Sequence, residues 1–151
     1  MVTGSSDTKP TNPKDRAATS RLDLSLFPAT ARAYGALAMT EGHLKYGGYN
    51  YREAGVLASI YYAAAGRHLD KWFNGQTCDP KTGIPHLANA LACIAVLIDA
   101  VECAKLNDDR PPRCNMDNIL QWAEQRVIGL QELFPSGPAR YTHAANSGDP
   151  T

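Results

Sequence analysis

Between Arg67 and Asn89 the sequence gathers Arg67, His68, Asp70, Asp79, His86 and Asn89 around one turn marked by glycine and proline. Imidazoles and carboxylates brought together can hold a divalent ion or move a proton, and an arginine beside them suits phosphate oxygens. Each residue has a plainer role when taken singly. Asp79 and Thr82 can cap a helix, and a histidine at a helix end is often no more than a polar residue. Their joint presence around one turn points to a functional site, because polar groups in perturbed surroundings cluster at sites.

A second group lies upstream, in Lys45-Tyr46-Gly47-Gly48-Tyr49-Asn50-Tyr51-Arg52. Two glycines allow the backbone to approach a ligand closely. Lys45 and Arg52 offer charge to phosphates, while the tyrosines offer stacking faces to a base. Asn50 is the side chain of this loop with an oxygen able to meet the N–H donors of guanine. The competing reading is a tyrosine-rich connector lying over the core. Lys14, in the turn Asn12-Pro13-Lys14-Asp15, is a further cation that can reach an anionic ligand.

Helices must position these groups. Ala31, Tyr34, Leu37, Ala38 and Leu44 recur at helical spacing and predict a helix from Pro28 to near Tyr46, stopped by Gly47-Gly48. Val56, Leu57, Ile60, Tyr61, Ala64, Leu69 and Trp72 predict a second, from Glu53 to about Asn74, ended by Gly75. On it Arg67 and Asp70 share a face, with His68 about 100° round. A third helix is expected from Pro85 to about Asn107, with Leu87, Leu91, Ile94, Ile98 and Val101 as its core stripe. His86 then stands at a helix N-terminus, where the dipole favours the neutral imidazole. A fourth runs from an Asn115 cap to Phe134, with Ile119, Leu120, Ala123, Val127, Leu130 and Leu133 facing inward. No segment shows strand periodicity. The expected architecture is an all-α four-helix bundle: a polar arm over 1–20, a helical domain over 21–135 and a tail over 136–151.

Composition narrows the function. A chain of 151 residues, 44% hydrophobic and 20% charged, suits one globular domain. Fifteen basic residues balance fifteen acidic ones, so bulk charge gives no case for nucleic acid or an anionic membrane as partner. No apolar run approaches the roughly 20 residues of a membrane span. The N-terminus lacks a signal-peptide core, which leaves the cytoplasm as the expected location. Cys78, Cys93, Cys103 and Cys114 lack zinc-site spacing; Cys93 and Cys103 are expected to be buried thiols, and the other two exposed.

Asp23-Leu24-Ser25-Leu26-Phe27-Pro28, Lys45-Tyr46-Gly47, Asn50-Tyr51-Arg52, Arg67-His68-Leu69, Gly75, Asp79 and the run from Gly83 to His86-Leu87-Ala88 together resemble the dATP/dGTP diphosphohydrolase-like family of phages. That family is related to the all-α MazG/HisE-type nucleotide pyrophosphohydrolases. The resemblance implies a four-helix fold, a homodimer or homotetramer, and hydrolysis of (d)GTP to (d)GMP and pyrophosphate with Mg²⁺ or Mn²⁺. It further implies that the dGMP supplies 2-aminoadenine nucleotide synthesis in the host cytoplasm. MazG-type enzymes carry acidic metal ligands as ExxE and ExxD, and this chain departs from both. Arg67-x-x-Asp70 and His86-x-x-Asn89 stand nearest, with Glu41, Glu53, Asp70 and Asp79 available to compensate.

Together these readings nominate His68, Asp70, Asp79 and His86 as catalytic groups, the two histidines as either ligands or proton-transfer groups. Glu41, Asp70 and Asp79 are the expected metal ligands. Lys45, Asn50, Tyr51, Arg52, Arg67 and Asn89 are the expected substrate contacts. The rival from another class is a non-catalytic helical nucleotide-binding or interaction module. An HD-type phosphohydrolase is disfavoured because Leu69, not aspartate, follows His68.

Overall fold

A computed structural model describes residues 20–142; the expected arm, apart from Ser20, and the end of the expected tail lie outside them. Asp23 opens the described chain by accepting from Ser25 N–H and hydroxyl, which closes a 3₁₀ turn over Leu24–Leu26. Pro28 leads into α1 (Ala29–Tyr46), where its fixed φ and missing N–H are harmless. A short α2 (Asn50–Ala54) and β1 (Val56–Leu57) follow, then α3 (Ala58–Phe73). Gly75, at φ 90°, supplies the left-handed residue that ends α3. Its N–H bonds Trp72 carbonyl and Gln76 N–H bonds Lys71 carbonyl, the Schellman pattern. Next come α4 (His86–Glu102), β2 (Leu106–Asn107) and α5 (Met116–Leu133), whose Asn115 side chain caps Asn118 N–H. The fold is all-α apart from one short strand pair.

The second helix does not begin at Glu53. Gly55, at φ 77°, breaks it, and a side chain there would stand 3.1 Å from Lys105 carbonyl. The break frees Val56 N–H to bond that same carbonyl and lets β1 pair in parallel with β2, Val56 opposite Leu106. The third helix correspondingly ends at Glu102, because Ala104 turns left-handed at φ 53° and Leu106–Asn107 become strand. Helical periodicity cannot register a pairing between residues so far apart in sequence. Ser59, at the start of α3, is capped from the same distant loop, its N–H 2.8 Å from Asp109 Oδ1 and its hydroxyl bonded to Oδ2.

α4 is the central helix, with α3 packed along it and α1 also lying against it. Small residues make these contacts. Ala38, Ile84 and Ala88 form one buried cluster, and Tyr51, Val56, Val96 and Ala100 form another. Most of the expected core stripe of α4 is turned outward instead: Leu87, Ile94, Ile98 and Val101 are exposed, and Leu91 alone of the five is half-buried, close against Gly35 of α1. Alanines at the contact allow the closest helix approach, and they win the interior over the larger residues. Enlarging Ala88, which is wholly buried, to leucine would overpack this contact at a cost of about 1–3 kcal/mol. The inward stripe expected on α5 is likewise exposed, Ile119, Leu120, Val127, Leu130 and Leu133 each being about half exposed or more. Cys78 and Cys114 are exposed, Cys93 and Cys103 only partly buried, and all four are free thiols.

Candidate active site

A cleft of about 970 Å³ opens between the C-terminal half of α1, the 47–52 segment, α3 and α4. That is within the range of small-molecule sites. Glu41, Lys45, Asn50, Tyr51, Arg52, His68 and Asn89, all nominated from the sequence, line it. Asp99 lines it too, and it was not foreseen. Its one sequence signal is a lone acid within an apolar helical run, a position where a carboxylate needs a partner.

Asp99 has that partner. Arg52 donates to it twice, Nε to Oδ2 and Nη2 to Oδ1, each at 2.7 Å. The pair holds Arg52 protonated and Asp99 below the usual carboxylate range. The guanidinium also lies 4.8 Å from the centre of the Tyr49 ring. Tyr51 is buried beneath, its phenol pushed up by burial first and by its hydrogen bond to Asp99 second. Arg52 is therefore engaged in fastening the tyrosine-bearing segment to α4. Lys45 pairs with Glu41 one turn away at 2.5 Å, which raises the lysine pKa.

The turn between α3 and α4 lies outside the cleft lining and positions the histidine that reaches it. Asp79 Oδ1 accepts from the N–H groups of Lys81 at 2.9 Å and Thr82 at 3.1 Å, and these bonds hold its carboxyl below the ordinary range. Asp79 therefore shapes the turn; Pro85, not Asp79, stands at the N-cap of α4. Asp79 N–H bonds Ile84 carbonyl and His86 N–H bonds Thr77 carbonyl, so the turn closes on itself. This closure delivers His86 to His68: their Nδ1 atoms are 3.0 Å apart and their rings are tilted by 37°. His86 is fully buried and His68 half-buried. Burial, and then His86, lowers the pKa of His68.

His68 faces the cleft; Arg67 and Asp70 do not line it. A helix advances about 100° per residue, so one side chain of this group takes the cleft and its neighbours turn away. His86 does not line it either and meets it only through His68. Asp79 is close enough to act on the charges of Lys45 and His68.

Among the described residues no three His, Cys, Asp or Glu side chains converge to hold a metal. The expected trio of Glu41, Asp70 and Asp79 is thus not gathered into a cage. Glu41 lines the cleft paired with Lys45, whereas Asp79 does not line it and is engaged by the N–H groups of its own turn. Mg²⁺ commonly takes one or two carboxylates, phosphate oxygens and water. No helix among the described residues is long and apolar enough to cross a membrane.

Residues 11–110 match the family model described as dATP/dGTP diphosphohydrolase, N-terminal. No curated protein matches the chain, and no solved structure does.

Proposed function

We propose, from the premise that this chain belongs to the dATP/dGTP diphosphohydrolase family, that it is a hydrolase cleaving dGTP to dGMP and pyrophosphate. The observation that carries this reading is the cleft itself, lined by Tyr49 and Tyr51 about the Arg52–Asp99 pair and by Lys45, Glu41 and His68. The base lies against the tyrosine wall held by Arg52 and Asp99, and Asn50 meets its edge. Lys45 neutralises phosphate charge, and Asn89 and His68 offer polar contacts to phosphate oxygens. Glu41 and Asp79 would hold Mg²⁺ or Mn²⁺, which when bound supplies charge stabilisation and an activated water. Incubation of the pure protein with dGTP and Mn²⁺ should release dGMP and pyrophosphate. Failure to turn over any deoxynucleoside triphosphate would overturn the proposal.

The departure from the acidic ExxE and ExxD pattern favours a second reading, a nucleotide-binding module without catalysis. It predicts saturable dGTP binding without turnover in the same assay.

Assembly as a homodimer or homotetramer belongs to the proposal. The outward apolar residues of α4 and α5 support it, since pairing copies would cover them. Light scattering that reads a monomer at micromolar concentration would refute it. The residue resemblance further supports a phage enzyme, with dGMP supplied to 2-aminoadenine nucleotide synthesis in the host cytoplasm.

A further inference from the structure

We propose that His86 is a positioning residue that fixes the neutral His68 ring with its proton on Nε2, so that His68 meets the nucleotide as a hydrogen-bond donor. The inference rests on the nucleotide reading of the cleft. It settles which role His68 takes, and it gives the buried histidine a task although it touches no substrate.

Two imidazole nitrogens 3.0 Å apart must consist of one N–H and one lone pair. Two arrangements satisfy this. If His68 donates from Nδ1, the neutral His86 ring keeps its own proton on Nε2. That nitrogen is fully buried and has no hydrogen-bond partner among the described residues. A buried N–H without an acceptor is rare in folded proteins, because the donor loses its hydration and gains nothing in return. If His86 donates from Nδ1, its Nε2 carries only a lone pair. An under-satisfied acceptor is tolerated more readily than an orphaned donor. The second arrangement therefore prevails, and it leaves His68 with a lone pair at Nδ1 and its proton at Nε2.

The His68 Nε2–H lies on the side of the ring away from His86. No hydrogen bond engages it among the described residues, and His68 lines the cleft. A phosphate oxygen is the acceptor such a donor suits. The same proton bars the neutral ring from taking a proton from water, or from ligating a metal, through Nε2. Sequence left ligand and proton-transfer roles open for both histidines. The geometry makes one a donor and the other its brace.

The tautomer can be read directly. The chain has four histidines, few enough to assign by single substitutions in isotope-labelled protein. Long-range proton–nitrogen correlation of the parent, at a pH where the rings are neutral, should show His68 with a pyridine-type Nδ1 and a pyrrole-type Nε2. The opposite pattern overturns the proposal, and neither result depends on turnover. An inactive parent with the expected pattern would defeat the proposed function and leave the tautomer standing. His86→Asn places an amide donor near the position of Nδ1 and should keep both the pattern and a kcat within a few-fold of the parent. His86→Leu removes the donor; it should mix the tautomers and lower kcat roughly tenfold or more, with a smaller change in KM. Equal losses in the two variants, with the His68 pattern unchanged, would show that His86 only fills space. Should His86→Leu fail to fold, the parent spectrum and His86→Asn still decide.

Discussion

The two ends of the cleft solve opposite problems. At the tyrosine end every charge is matched: Arg52 is bound twice to Asp99, and Tyr51 is buried against the same carboxylate. At the histidine end groups are left over. His68 Nε2 is unengaged among the described residues, and Asp79 makes its turn bonds through one oxygen, Oδ1. A saturated polar network fixes shape, whereas groups held in place with unused bonding capacity are available to a ligand. Under the proposed function the first end is a preformed wall and the second is the place where chemistry happens.

If that division is right, losses at the histidine end fall on turnover. His68→Ala should lower kcat by roughly 10²–10³-fold, the loss of one hydrogen-bond donor, measured as dGMP release, with little change in melting temperature. A parental rate would move the reaction elsewhere in the cleft.

Asp79→Asn should come next, at roughly 10²-fold in turnover. The asparagine oxygen can still accept from Lys81 and Thr82, so the turn and the melting curve should survive. A variant with parental turnover and parental Mn²⁺ dependence would reduce Asp79 to a turn residue.

At the tyrosine end the loss should fall on affinity. Arg52→Gln and Asp99→Asn should each raise KM about tenfold while kcat stays within about twofold, and the double variant should be far less than additive. Should Arg52→Gln alone be harmful and Asp99→Asn silent, Arg52 would be a phosphate contact and the wall reading would fail.

The smallest effect is one of acid stability. Asp99 has a folded pKa below its unfolded value, so its contribution is present above about pH 4 and is lost as pH falls through the depressed folded pKa. Melting temperatures of the parent should therefore fall more on acidification than those of Asp99→Asn. Parallel curves would show that the pair contributes nothing measurable, as many exposed ion pairs do.

What the sequence determined by itself is local. Pro28 before α1, Gly75 after α3, Pro85 before α4 and the Asn115 cap of α5 were all legible, because each signal acts within one turn of helix. The gathering of His68 and His86 was legible for the same reason, since only one turn separates their helices. Other features needed the tertiary structure. Arg52 finds Asp99, Ser59 finds Asp109 and Val56 finds Leu106 across stretches whose local patterns carry no trace of one another. Which face of α4 turns inward was also undecided in its sequence, because both Ala88-Val96-Ala100 and Leu87-Ile94-Ile98 are apolar. Close helix approach selected the small set, and that rotation gave Asp99 and Asn89 to the cleft. On α3 the same kind of choice gave His68 to the cleft and turned Asp70 away. Periodicity fixes how side chains are spaced around a helix; only packing against a neighbour fixes where the helix points them.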